Sequence, residues 1–168
     1  MSPLSRPAAR EAAVVEPVRI SEVRCAAAHQ ALETYALGSC VAVVLHDARR
    51  SVGGLLHFML PVARGAQAVA RPGMFADTGL RLMLSALEAA GSRRADLWAV
   101  LVGGGVMNDP GKIFQIGARN VAAMRELLRE AGIAVRAEDV GGPWSRSVRY
   151  EVAGGVVLVR SRGQERNL

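Results

Sequence analysis

Apolar residues fall along this chain in two rhythms. Short runs rich in Val, Leu and Ala occupy roughly 18–26, 41–46, 52–59 and 97–102; their brevity and β-branched content favour strands over helices. A further strand is expected near 133–138. The stretch SVRYEVAGGVVLVRS alternates on both sides of Gly154-Gly155 and predicts a hairpin. Two other segments repeat at three and four residues. In FADTGLRLMLSALEAAG, Leu80, Met83, Leu84, Leu87 and Ala90 form one stripe, with Asp77 as the expected N-cap and Gly91 as the stop. In GARNVAAMRELLREAG the stripe is Val121, Met124, Leu127, Leu128 and Ala131, ended by Gly132. Methionines on such stripes read as core filler. The charged face Arg125, Glu126, Arg129 and Glu130 reads as a solvated surface with ion pairs. Residues 1–17 are rich in Ala, Pro and Arg without periodicity and read as a flexible leader, so a single domain is expected over 18–168. The class is α/β with strands outnumbering helices, so sheet faces that two helices cannot cover must pack on each other or on loops.

Composition narrows this picture. Of 168 residues, 51% are hydrophobic but only 4% aromatic, so aliphatic side chains must fill the core. No apolar run approaches the roughly 20 residues of a membrane span, and the N-terminus lacks a secretory pattern, which makes the cytoplasm the expected compartment. Two cysteines, Cys25 and Cys40, without CxxC spacing, and three scattered histidines, His29, His46 and His57, predict neither a disulfide nor a metal site, and no cofactor is expected. The net charge of +6 is carried almost wholly by arginine, Lys112 being the only lysine. That balance suits acidic partners, whereas the lack of dense basic runs and of stacking aromatics argues against nucleic acid. Gly103–Gly105 lacks the GK[ST] of a phosphate loop and reads as a turn after the strand 97–102.

Candidate chemistry centres on Leu37-Gly38-Ser39-Cys40. Alone, a cysteine beside an apolar run reads as a small buried hydrophobe. The next two runs flank Asp47–Arg50, and a four-residue loop there pairs positions whose numbers sum to 97. His46 then faces Ser51 and Cys40 faces His57, with a thiol and an imidazole on one face of a hairpin. An imidazole beside a thiol is the minimum for an activated nucleophile, shifting sulfur toward thiolate. Gly38 permits a tight turn, and the N–H groups of Gly38 and Ser39 are candidates to face an oxyanion. Thr34 can return to this neighbourhood and accept the imidazole N–H, fixing its tautomer. The alternatives stay open here: His57 as a hydrogen-bonded core histidine, Thr34 as an ordinary β-branched strand residue. Asp139, in AEDVGG, reads as a turn former with a catalytic acid as the other possibility. Cys25, His29 and His46 read as structural.

The ordered blocks TYALGSCVAVVLHD, GGLLHFMLP, FADTGLRLML, VLVGGGVM, IGARN and AEDVGG resemble the CheD family, over roughly Val18 to Arg160. The resemblance implies a layered sandwich of mixed, largely antiparallel sheets with two main helices, akin to the CNF-toxin-like cysteine hydrolases. It implies a protein-glutamine deamidase of bacterial chemotaxis acting on cytoplasmic helices of methyl-accepting chemotaxis receptors through a cysteine thioester. Motif by motif, it places the nucleophile on Cys40, the base on His57 and the third member on Thr34. It also implies the CheC phosphatase as a partner, with a non-catalytic regulatory role toward CheC as the alternative. The chain departs from the family's usual pattern at Tyr35-Ala36-Leu37, where Leu-Gly-Leu is common, and at Trp144-Ser145, where smaller residues are usual.

Overall fold

The computed structural model describes residues 13–106 and 115–168, without the side chains of Gln67 and Ala68. Ten strands form two five-stranded sheets. The first sheet contains β1 (Val14–Pro17), β3 (Gln30–Leu37), β8 (Arg146–Glu151), β9 (Val156–Ser161) and β10 (Gln164–Asn167), in the order β1-β3-β8-β9-β10. The second contains β2 (Val23–Ala27), β4 (Val41–Asp47), β5 (Val52–Phe58), β6 (Leu97–Gly103) and β7 (Ala134–Val140), in the order β2-β5-β4-β6-β7. Only β1–β3 and β6–β7 run parallel; the other pairs are antiparallel. After a single turn, α1 (Gln67–Ala70), two long helices follow, α2 (Ala76–Ala89) and α3 (Ile116–Glu130).

Strand alternation divides the apolar residues between two cores. From β4 and β5, Val41, Val43, Leu45, Leu56 and Phe58 point outward and are covered by Leu80, Met83, Leu84 and Leu87 of α2 and Val121, Met124 and Leu128 of α3. Ala42, Val44 and Leu55 point the other way, into a second core shared with Leu32 and Leu37 of β3, Val148 and Tyr150 of β8, and Val157 and Val159 of β9. The result is three layers: helices, the central sheet, and the outer sheet. Two helices cover one face of one sheet, so the opposite faces of the two sheets bury each other, as expected from the scarcity of helices.

The two helical stripes bury as their spacing predicts, and the 41–46, 52–59, 97–102 and 133–138 runs and the Gly154-Gly155 hairpin are strands within a few residues. Four details differ. The first apolar run is a strand only over Val23–Ala27, while Val18 enters the second core from outside any strand. Three strands carried no sequence signal: β1, β3 and β10. Val14–Pro17, inside the stretch expected as leader, pairs with Gln30–Glu33; residues 1–12 lie outside the described residues. β3 mixes Gln30, Glu33 and Tyr35 among its apolar positions, which hides its alternation. At the start of α2 the N-cap position is Phe75, and Asp77 lies in the first turn. There its carboxylate accepts from the Ala63 and Thr78 amides at 3.0 and 2.8 Å, tying the preceding loop to the helix. Finally, the β4–β5 turn is Ala48–Ser51, because Asp47 and Val52 already pair. The Asp47 carboxylate accepts the Arg49 and Arg50 amides and closes that turn.

Candidate active site

The longer strands move the hairpin register by two residues. His57 pairs with Ala42, and His46 with Gly53, so paired numbers sum to 99. The expected direct pairs, Cys40 with His57 and His46 with Ser51, are not formed. Because the shift is even, no side chain changes face. Cys40 lies two residues before Ala42 and packs, partly buried, against the intersheet core that Ala42 faces. His57 falls on the same face by alternation with Leu55 and is 3% exposed. Cys40 and His57 are therefore diagonal rather than direct neighbours, about 7–8 Å apart along the backbone and within reach of a ring and a thiol that lean together.

Thr34 completes the group from the other sheet. It is fully buried in β3, and its Oγ1 lies 2.7 Å from His57 Nδ1 and 2.7 Å from the Val18 carbonyl oxygen. A hydroxyl has one proton. Thr34 donates it to Val18 O, so toward the ring Oγ1 can only accept, and Nδ1 must carry the hydrogen. The neutral imidazole then has its lone pair on Nε2, which is buried without a hydrogen-bond partner among the described residues. This is the tautomer a general base requires.

The Gly38–Cys40 turn is held by its carbonyls. Gly105 N–H donates to Gly38 O at 2.7 Å and Gly104 N–H to Cys40 O at 2.8 Å. Between them Ser39 O accepts from Asn120 Nδ2 at 3.0 Å. Gly103 has a φ of 112° and lies so close to Cys40 O that any side chain there would collide with it. With three successive carbonyls engaged, the Ser39 and Cys40 amides have no backbone acceptor among the described residues. The Gly38 amide, expected as an oxyanion donor, is committed to Ala36 O at 3.0 Å. Ala36 itself has a φ of 57°. That left-handed geometry costs a non-glycine residue about 1–2 kcal/mol, so the departure from Leu-Gly-Leu places strain one residue before Leu37. The neighbouring Tyr35 is exposed, its hydroxyl donating to Glu33.

Asn120 is the residue that sequence reasoning missed. Fully buried on α3, it donates one N–H to Ser39 O and the other to Met59 O, the latter at 2.7 Å. One amide group thus clamps the residue before Cys40 to the strand end two residues after His57. Both neighbours are acceptors, so the amide nitrogen must face them, and Oδ1 is left buried and unpartnered. The available signal was an asparagine interrupting an apolar helix stripe, next to Val121. Asp139, read as a turn former with a catalytic acid as the other possibility, lies within a strand and not in a turn. It sits on β7 and pairs with Arg146 at 2.9 Å and Arg166 at 2.6 Å, linking the two sheets. Burial alone would raise its carboxyl, but these two arginines outweigh it and hold the group below its ordinary value.

Burial dominates the protonation of the site. Desolvation lowers the His57 imidazole to about 4 and raises the Cys40 thiol, the latter opposed by a backbone hydrogen bond. At neutral pH the free protein holds a neutral thiol and a neutral imidazole, not the thiolate expected from the sequence. The cause is that a charged pair would be desolvated between the sheets. Elsewhere, His46 Nδ1 meets Tyr150 OH at 2.7 Å at the opposite, turn end of the hairpin, a structural pair. Gly53 makes room for that hydroxyl. Cys25 lies on β2, paired with Gly54, and is exposed.

Fold and site together define an α/β sandwich whose two sheets bring a hydroxyl, an imidazole and a thiol to one end of the space between them. The sequence profile described as CheD chemotactic sensory transduction matches residues 59–161. The chain belongs to the CheD family. It is 38% identical to the probable chemoreceptor glutamine deamidase CheD of Solibacter usitatus, over 92% of this chain and 94% of that one. To the probable chemoreceptor glutamine deamidase CheD 2 of Anaeromyxobacter dehalogenans it is 48% identical, over 78% and 84%. The chemoreceptor glutamine deamidase CheD of Thermotoga maritima is 41% identical, over 77% and 81%. No helix among the described residues is long and apolar enough to cross a membrane.

Proposed function

We propose that this chain is a chemoreceptor glutamine deamidase, converting receptor glutamine side chains to glutamate in chemotaxis, with Cys40 as nucleophile, His57 as base and Thr34 as the group that orients it. The observation that carries the reading is the Thr34–His57 hydrogen bond, which leaves Nε2 as a buried lone pair on the face shared with Cys40. The names of the relatives supply the substrate.

Substrate binding brings the glutamine amide to Cys40. Nε2 takes the thiol proton as sulfur attacks the amide carbon, so charge separates only when there is an oxyanion to form. The Ser39 and Cys40 amides, left over from the anchored turn, are the donors placed to receive that oxyanion. His57, now an imidazolium, returns the proton to the departing ammonia. Water then adds to the γ-glutamyl thioester with its proton passing to Nε2; collapse returns the thiol and leaves a glutamate side chain. Thr34 keeps the Nδ1 hydrogen in place through both halves.

The enzyme acts in the cytoplasm, and residues 18–168 form a single domain, to which β1 adds a strand. CheC is a partner by resemblance alone. As a purely regulatory binding partner the chain would have no use for a buried histidine whose second nitrogen is unsatisfied, a group that costs stability. The test is ammonia release from receptor glutamines by Cys40→Ala. Abolished release with unchanged melting supports the reading; turnover equal to wild type removes Cys40 from the mechanism.

A further inference from the structure

A second concave site lies beside the nucleophile turn; its lining includes Asp139, Trp144, Arg146, Arg162, Glu165 and Arg166, and its volume is about 490 Å³. Its position follows from backbone contacts. Arg146 pairs with Leu37, three residues before Cys40. Gly105, which anchors Gly38, approaches the Trp144 carbonyl so closely that a Cβ would lie 3.4 Å from it. Three residues span at most about 10 Å, and less here because residues 38–40 turn.

Three arginines face two carboxylates in this cleft, and one of those carboxylates, Glu165, is taken by Arg160 at 2.6 Å, so the balance is positive. Arg146 and Arg166 share the single carboxylate of Asp139. Arg146 is nine-tenths buried, with its side chain 8% exposed. It donates to Trp144 O at 3.0 Å and keeps Nε buried without an acceptor. Arg162 forms no ion pair among the described residues; its guanidinium lies 4.3 Å from the centre of the Trp144 ring. Trp144 is itself 47% exposed. A planar cation stacked on an exposed indole keeps its N–H edge free for a carboxylate, the geometry that guanidinium groups use for bidentate recognition.

We infer that the Trp144–Arg162 cleft is a specificity subsite that takes an acidic side chain of the substrate polypeptide, near the glutamine held at Cys40. The inference rests on the deamidase reading for the identity of that polypeptide. A span of about 10 Å corresponds to three residues of extended chain or about seven of helix, so the acidic residue lies within seven positions of the target. A glutamine without such a neighbour is a poorer substrate.

The test uses the full chain carrying Cys40→Ala, so that binding is read without turnover, and a chemoreceptor cytoplasmic fragment containing glutamines, on which ammonia release by the wild type is measured in parallel. Acidic residues within seven positions of those glutamines are changed one at a time to Lys, and affinities are measured by calorimetry. One such change, which replaces an attraction with a repulsion of similar size, weakens binding by about five- to tenfold. Adding Arg162→Glu weakens the original fragment similarly and restores the Lys fragment. Trp144→Ala, which removes the platform beneath Arg162, reduces the discrimination between the two fragments. Affinities within twofold of each other for all fragments, or a charge preference untouched by Arg162→Glu, overturn the subsite. The deamidase reading fails by a different sign: charge-selective binding together with no ammonia release from wild-type protein.

Discussion

Replacing Thr34 by Val isolates the assignment of the base. Val has nearly the shape of Thr but no hydroxyl, so the buried position at β3 stays filled while two hydrogen bonds of 2.7 Å are lost. Val18 O and His57 Nδ1 are then stranded between the sheets. An unsatisfied buried polar group costs about 1–3 kcal/mol, so the two stranded groups together imply a loss of about 2–6 kcal/mol. The effect on turnover follows from the tautomer. With no acceptor at Oγ1, the Nδ1 hydrogen loses the bond that fixes it, and the imidazole can place its hydrogen on Nε2 instead. That alone lowers the productive fraction only a few-fold, but the imidazolium formed in the transition state also loses its acceptor, a hydrogen bond to a charged group worth about 1.5–3 kcal/mol, or a factor of about 10–100 in rate. kcat/KM for ammonia release should fall by that factor. Thr34→Ser restores the acceptor and should recover most of the activity, which a packing effect of the methyl would not allow. The measurements are steady-state ammonia release from a receptor fragment and urea unfolding of the same proteins. Thr34→Val turning over within twofold of wild type while fully folded, or Thr34→Ser failing as badly as Thr34→Val, would refute the orienting role.

The buried imidazole also makes stability depend on acidity. His57 is depressed from 6.5 to about 4 in the folded protein, so as pH falls the unfolded chain takes up its proton first. The stabilisation is present in full above pH 6.5 and is lost as pH drops through about 4, by about 3 kcal/mol in all. His57→Gln should flatten that part of the urea-stability profile; an unchanged profile would mean that the imidazole titrates normally. The acid limb of kcat/KM in wild type should accordingly lie near pH 4, not 6.5, in a pH-rate series limited to the range in which the protein is folded. Asn120→Ala strands Ser39 O and Met59 O and should cost about 2–6 kcal/mol by urea unfolding, with kcat falling more than tenfold as the turn carrying Cys40 loosens; kcat unchanged by it would show that the clamp does not position the thiol.

Much of this molecule is written in its hydrophobic pattern. The stripes of α2 and α3, the runs that became β4, β5 and β6, and the preference of two sheets for each other's faces all follow from local periodicity and the small number of helices. The candidate thiol and imidazole were legible for the same reason: a two-residue period assigns faces, and an error of two in the register leaves those assignments intact. Recognition of the ordered motifs supplied Thr34 its role, which spacing alone left open.

Other features depended on groups distant in sequence. β3 was hidden because its strand character comes from pairing with β1 and β8, not from its own mixed residues. Asp139 reads locally as a turn residue, and only the arrival of Arg146 and Arg166 makes it a link between sheets. Asn120 meets Ser39 across 81 positions of chain, and no local rule anticipates that. The same holds for protonation. A sequence can place a thiol and an imidazole on one face, but the water that two packed sheets exclude decides their charge. Local pattern fixes which way a side chain points; partner and solvent are set only when distant segments close around it.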